Sequence, residues 1–164
     1  MLGFPHANAS PLAPRLAGVG RVRPAPRGRL AWAAIALEVF LGVGALGGGA
    51  ALMLGPRGEL IPLPVSLLAG SPFADYLVPG AILFVILGLG PLVAAALAWR
   101  RHPLAPALAL VVGLALLVWL VVEICIVGYA SNPPLQPFYL GLGIAITLLA
   151  VAWMRDTKGG KLAL

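Results

Sequence analysis

The chain of 164 residues is 61% hydrophobic and only 10% charged, whereas soluble domains average about 25% charged residues. This composition excludes the ordinary soluble classes. It predicts an all-α membrane protein, a bundle of four transmembrane helices with an apolar outer loop between spans one and two. The net charge of +6 does not indicate a nucleic-acid partner, because the basic residues flank apolar runs instead of forming one face.

Residues 1–29 form an arm rich in proline and arginine, which we predict to be disordered and cytoplasmic. Its five prolines interrupt a helix, and it has too few apolar residues to offset the entropy of ordering. It also lacks the apolar core of a signal peptide. Its five arginines either contact anionic lipid headgroups or serve only to set the topology of the spans.

The first predicted span covers residues 30–54 and has a glycine-rich centre. Gly44 and Gly48 have the GxxxG spacing that allows helices to approach closely, either within the bundle or between two copies of the chain. Packing within the bundle is the favoured interpretation. Residues at helical spacing also define a narrow face that we expect to be buried against a neighbouring span: Glu38, Gly42, Ala45 and Gly49.

The predicted outer loop covers residues 55–72 and is unusually apolar. Gly55 and Pro56 end the first helix. A short helical turn is expected from Pro64 to Ala69, ended by Gly70, because proline is favoured early in a helix and glycine just after its end. We expect this loop to lie on the membrane surface or to cap the bundle.

The second predicted span covers residues 73–99. The Ser71-Pro72 pair is typical of a helix start, with serine as N-cap and proline at the first helical position. Asp75 would then lie in the first turn, where the helix dipole favours an anion. Pro79 and Pro91 each remove a helical hydrogen bond, so kinks are expected at both positions.

Spans three and four are predicted at residues 104–129 and 135–154, joined by a tight outer turn at Asn132-Pro133-Pro134. The arm, the link at residues 100–103 and the tail carry ten basic residues, whereas the opposite side has Arg57 alone. This asymmetry predicts that both termini lie in the cytoplasm. The tail, residues 155–164, is polar and is expected to be loose.

No pattern in the sequence indicates catalysis. His6 and His102 lie outside the predicted spans, and no group of histidine, cysteine and carboxylate side chains has metal-ligand spacing. Cys125 is the only cysteine, so it has no internal disulfide partner, and within an apolar run it is expected to be inert. The sequence therefore predicts a protein that is not an enzyme, with no cofactor and no metal.

Two carboxylates within the predicted spans are the candidate functional residues, because charged groups are costly inside a membrane. Glu38 lies roughly 12 Å and Glu123 roughly 28 Å from the inner ends of their helices, so they differ by about 16 Å in depth and cannot pair. Glu38 is either a neutral structural carboxyl or a proton and substrate site. Glu123 is expected to bind the outer cap, with three candidate partners: Arg57, Ser71 and Asp75.

Several segments together resemble an uncharacterised family of small four-span bacterial integral membrane proteins. They are GALGGGAALMLGPRG, SPFADYLVPGAILFVILGLGP, VEICIVGY and PLQPFYLGLGI. The resemblance covers about residues 38–146 and implies a four-helix bundle, with no functional residues to carry over. A second likeness, confined to AIALEV around Glu38, is to small multidrug-resistance transporters, which also have four spans and a glutamate in the first.

Two functions follow as hypotheses. The first is a structural, assembly or accessory component of the membrane, whose partners are the lipid bilayer and possible neighbouring membrane proteins. The second is a small proton-coupled transporter that uses Glu38. Access of water to Glu38 distinguishes them, because a transport site must be reached by water and a packing carboxyl is sealed.

Overall fold

The computed structural model describes residues 28–129 and 134–162, with side chains up to residue 157. The predicted N-terminal arm and the turn at Asn132-Pro133-Pro134 lie almost wholly outside the described residues. Within them the protein is all-helical, which confirms the predicted fold class. The four long helices are α1 (Arg29–Leu54), α2 (Leu77–Trp99), α3 (Ala105–Val127) and α4 (Leu135–Leu162). Each is long and apolar enough to cross a bilayer, which indicates a multi-pass membrane protein.

Helix α2 starts later than predicted, so the proposed cap at Ser71 is wrong. The Ser71 hydroxyl accepts the N–H of Phe73 at 3.2 Å, and the carboxylate of Asp75 accepts the N–H of Leu77 at 2.9 Å. Serine and aspartate commonly make such local bonds to the backbone two residues on, in competition with helix formation. The helix therefore begins only at Leu77, after two successive turns of this kind.

The two prolines of α2 have different effects. Pro79 lies in the first turn, where its missing N–H is not needed by the helix, so the kink predicted there is wrong. Pro91 lies two residues after the end of a π-helical segment, Leu83–Leu89, in which the helix is locally widened. Such segments are typical of helices whose regular hydrogen bonding is interrupted.

Helix α4 continues well beyond its predicted end. It runs to Leu162, so residues 155–162, predicted to be loose, are helical. Each residue added to an existing helix gains a hydrogen bond without repeating the unfavourable nucleation step. The Thr157 hydroxyl also bonds to the Met154 carbonyl within this extension, at 3.0 Å.

The predicted small-residue face of α1 is buried, and part of it packs against α2. A Cβ atom added to Gly42 would lie 2.9 Å from the Gly88 carbonyl oxygen, and one added to Gly49 would lie 2.7 Å from the Phe84 nitrogen. The two backbones therefore approach so closely that only glycine fits. The hydrophobic core between the four helices comprises Leu41, Ala45, Leu87, Ala94, Val112, Leu116, Leu120, Leu142 and Ile146.

Successive helices run in opposite directions, so the connections and termini fall at two ends of the bundle, which differ chemically. At the end that we call the arginine end lie Arg29, Arg100, Arg101 and Arg155, and the rings of Trp32 and Trp99 meet edge to face with centroids 5.4 Å apart.

The other end, the loop end, carries residues 55–76, which we call the cap loop. A 3₁₀ turn at Val65–Leu68 confirms the predicted helical turn in this loop. Leu68 and Tyr76 are buried together with Leu52 of α1, so the loop packs onto the bundle.

Candidate functional site

A cleft between α2 and α3 lies in the half of the bundle nearer the loop end and has a volume of about 550 Å³. We call it the lateral cleft. Its walls are almost entirely apolar and come from both helices, from the cap loop and from the start of α4. The lining includes Ile61, Leu63, Leu68, Phe73, Tyr76, Ile82, Ile86, Ala115, Val118, Trp119, Val122, Glu123 and Ile126.

The cleft exists because α2 and α3 pack closely only at the arginine end. They are joined there by the short link at residues 100–104, and α3 contacts α2 mainly along residues 90–99. Small side chains on these parts of the two helices are almost fully buried: Ala94, Ala98, Ala105 and Ala109. Toward the loop end the two helices separate, and the space between them is the lateral cleft.

The cap loop covers the cleft at the loop end. Tyr76 fixes the base of this loop, because its hydroxyl donates to the Pro64 carbonyl at 3.1 Å, and Ile126 of α3 packs against the same apolar cluster. The opening of the cleft faces sideways instead. Ile86 and Val118 line it and are 51% and 63% exposed. In a bilayer this opening would face hydrocarbon.

One carboxylate lies in this apolar cleft. Glu123 Oε1 accepts a hydrogen bond from the Gln136 side-chain amide at 3.2 Å, and the same amide nitrogen donates to the Gly128 carbonyl at 3.1 Å. Gln136 is 6% exposed, whereas Glu123 is only partly buried. Gln136 therefore connects the end of α3 to the start of α4 and holds the Glu123 side chain in place.

The structure gives Glu123 a partner on α4 in place of the predicted partners in the cap loop. Ser71 and Asp75 bond to their own loop backbone, and the backbone N–H of Arg57 donates to Glu59 at 2.9 Å. Over the described residues no ion pair joins Arg57 to Glu123. The side chains of Ser71 and Asp75 make local bonds, which need no long-range contact to form.

A second space, which we call the central cavity, lies between the four helices at the loop end and has a volume of about 230 Å³. Its polar lining residues are Glu123, Gln136 and Tyr139. It shares Trp119 and Glu123, among others, with the lateral cleft, so these side chains stand between the two spaces.

Gly44 and Gly48 also line the central cavity. A Cβ atom on either would contact Tyr139 or Leu83 of the same chain at ordinary distances. The GxxxG pair therefore has its neighbours within the bundle.

The environment of Glu38 differs from that of Glu123. The Glu38 side chain is fully buried, neither carboxyl oxygen has a hydrogen-bond partner among the described residues, and it lines neither of the two spaces. Leu41, three residues further along α1, lines the central cavity. About one helical turn, roughly 4.5 Å, therefore separates Glu38 from this cavity along the helix axis.

The remaining sequence candidates lie apart from the cleft. His102 accepts the Leu104 N–H through Nδ1 at 3.2 Å in the link between α2 and α3. Cys125 is exposed, and the described residues contain no group of three potential metal ligands. Gln136 is not among the residues predicted from the sequence, although it is the only glutamine of the chain and lies at the outer end of a span.

No protein-family model, curated protein or solved structure matches this chain.

Proposed function

We propose that the protein is a non-enzymatic accessory component of a bacterial plasma membrane that holds an amphipathic molecule of the bilayer in the lateral cleft. The observation that carries this proposal is the cleft itself, an apolar space open to hydrocarbon with a single carboxylate in its wall. Ligand sites commonly have volumes of about 300–1,000 Å³ and apolar walls with a few placed polar groups. The lateral cleft has these properties.

An accessory role fits the polar groups that the cleft offers. Glu123 is bonded to Gln136, and the Tyr76 hydroxyl is bonded to Pro64. Neither is accompanied in the cleft lining by a histidine, cysteine or second carboxylate. Acid-base or nucleophilic chemistry ordinarily combines such groups within hydrogen-bond reach. Binding without reaction is therefore the simpler use of this cleft.

Binding is tested by lipid retention in a variant with a filled cleft. Ala115→Phe places a ring inside the cleft, whereas Ala107→Phe adds the same ring on the exposed side of α3. Native mass spectrometry after mild detergent extraction should find bound lipid on the wild-type protein and on Ala107→Phe. We expect Ala115→Phe to lose it. Equal lipid retention by all three proteins would contradict the proposal.

The proposed orientation places the arginine end in the cytoplasm. Arg29, Arg100, Arg101 and Arg155 lie at that end, and Arg57 lies at the loop end. Basic residues close to the ends of spans are retained on the cytoplasmic side. The lateral cleft would then open toward the outer leaflet.

Single cysteines in a Cys125→Ser background test this orientation. In intact cells, an impermeant thiol reagent should label a cysteine at Ser131 and should not label cysteines at Ser10, His102 or Thr157. The same four variants should all react after the membrane is permeabilised. Labelling at His102 from outside would contradict the four-span topology.

A proton-coupled transporter is the second candidate, and the central cavity favours it. The cavity extends from Glu123 and Gln136 to Leu41, about one turn from the unpaired carboxyl of Glu38. A rearrangement around Leu41 would give water access to Glu38. In reconstituted vesicles, Glu38→Gln should then remain folded and abolish pH-driven uptake or resistance to toxic cations. Absence of proton flux with the wild-type protein would exclude this function.

A further inference from the structure

We propose that the lateral cleft selects a phospholipid with a primary ammonium headgroup, chemically a phosphatidylethanolamine, with the ammonium against Glu123 and an acyl chain between α2 and α3. This inference rests on the proposed function and names the ligand of the same site. Three properties of the cleft support it: charge, depth and access.

The first property is the negative charge of the Glu123 carboxylate, which suits a cationic ligand. Among the described residues, Glu123 is the only acidic or basic side chain in the cleft lining. Gln136 donates to its Oε1, and the described residues provide no hydrogen-bond donor to its Oε2. A primary ammonium has three N–H donors, and its hydrogen bonds to a carboxylate are charge-assisted. A trimethylated headgroup has no such donor, and an anionic headgroup would be repelled.

The depth of the cleft matches one leaflet. Glu123 is four residues before the end of α3 at Val127, about 6 Å along the helix axis. From Glu123 toward the middle of the membrane, the wall of α3 that lines the cleft extends to Ala115, eight residues or roughly 12 Å. Half of the hydrocarbon thickness of a bilayer is about 15 Å. A lipid in this cleft would therefore have its headgroup nitrogen near Glu123 while its chain follows α3 toward the middle of the membrane.

The access to the cleft favours an acyl chain over a helix of a partner protein. The opening faces sideways, past Ile86 and Val118. The cap loop also closes the cleft at the loop end, so an occupant has to enter sideways from the bilayer. A flexible chain can do this without displacing the loop.

Quenching of Trp119 by lipids with brominated acyl chains tests the proposal, because this side chain lines the cleft. The full-length protein, with the other three tryptophans replaced by phenylalanine, is placed in phosphatidylcholine nanodiscs. Brominated lipids with ethanolamine, choline or glycerol headgroups are then titrated in. If the triple replacement unfolds the protein, the difference between wild type and Trp119→Phe gives the same reading.

We expect the ethanolamine lipid to reach half-maximal quenching at a mole fraction about tenfold lower than the other two lipids, as one charged hydrogen bond allows. Glu123→Gln should remove this difference, because the amide keeps its shape and loses its charge. Glu59→Gln is the matched control. It removes a negative charge from the same end of the bundle, outside the cleft lining, and should leave the preference unchanged.

The other outcomes separate this inference from the proposed function. Saturable quenching that is equal for the three headgroups would overturn the headgroup selection and leave lipid binding in place. Quenching that rises without saturation for every lipid would overturn both. Displacement of the ethanolamine lipid by a lysine-bearing transmembrane peptide at a lower mole fraction would overturn the lipid assignment in favour of a protein partner.

Discussion

The two sides of α2 differ in how closely they meet their neighbours. On the side of α1, glycines bring the two backbones together, and a Cβ atom on Gly80 would lie 3.0 Å from the Gly49 carbonyl oxygen. On the side of α3, contact is confined mainly to residues 90–99, and beyond it lies the lateral cleft. One helix thus takes part in a tightly packed interface and in an open one.

This difference follows from what drives helix association in a membrane. Lipid is as apolar as leucine, so helices gain little from hiding apolar surface and associate mainly through close packing of small residues. Gly80 and Gly88 supply such packing toward α1, whereas Ile82 and Ile86 present branched side chains to the cleft. The packed side therefore supports the fold, and the open side remains available to a ligand.

The two carboxylates reflect the same division. Glu38 belongs to the buried face of α1, where nothing described bonds to it, and Glu123 lies at the edge of the open side with an amide partner. A carboxyl inside close packing can only be neutral or destabilising unless it finds a partner. A carboxylate at an opening can take its partner from the surroundings.

The largest expected effect comes from breaking the packed side. Gly49→Val adds atoms where a Cβ would already lie 2.7 Å from the Phe84 nitrogen, a backbone atom that cannot move aside. We expect the free energy of unfolding to fall by about 3 kcal/mol, as for severe overpacking. Denaturation with SDS in mixed micelles measures it.

Gly47→Val is the matched control on the same helix. A Cβ atom at Gly47 has no atom within 4 Å. Valine there should change the free energy of unfolding by less than about 0.5 kcal/mol, as for other surface substitutions. Equal effects of the two substitutions would mean that α1 and α2 do not pack through Gly49.

An intermediate effect on the free energy of unfolding is expected when the buried face of α1 is made fully apolar. Glu38→Leu removes a buried polar group that has no hydrogen-bond partner. Because an unsatisfied buried group costs about 1–3 kcal/mol, we expect this variant to be more stable than the wild type by about 1 kcal/mol. Glu38→Gln keeps a polar group of the same size and should remain folded, within about 0.5 kcal/mol of the wild type.

The same denaturation series decides how Glu38 is used. A loss of stability in Glu38→Leu would reveal a partner for the carboxyl in the membrane, such as water that reaches it past Leu41. That outcome would strengthen the transporter and weaken the division into a packed and an open side. A gain would support a sealed structural carboxyl.

Much of the fold could be predicted from the sequence, because apolar length and glycine placement act locally. The four spans follow from runs of about 20 apolar residues, and the burial of Gly42 and Gly49 follows from their helical spacing. The start of α2 could not be placed, because Ser71 and Asp75 are equally suited to helix caps and to local turns.

The candidate site was less accessible to sequence analysis. Glu123 was identified because it interrupts an apolar run, but its partner Gln136 lies on the next helix, thirteen residues away. The lateral cleft depends on how far α2 and α3 separate. This separation arises from packing along the whole length of both helices. Isoleucine and valine are equally common in the wall of a cleft and on a surface that faces lipid. The identities of Ile82, Ile86 and Val118 therefore do not reveal the cleft.

The smallest expected effect on the free energy of unfolding comes from filling the lateral cleft, and its size depends on whether lipid is present. Ala115→Leu extends into the lateral cleft, whereas Ala107→Leu lies on the exposed surface of α3. In detergent, where lipid has been removed, filling the cleft should raise the free energy of unfolding by about 0.5–1 kcal/mol. In bilayers an acyl chain already occupies this space, so the leucine only replaces it and the gain should disappear. Ala107→Leu should be neutral in both media. A gain of equal size in detergent and in bilayers would mean that lipid does not fill the cleft, and the open side would then be only an imperfectly packed interface.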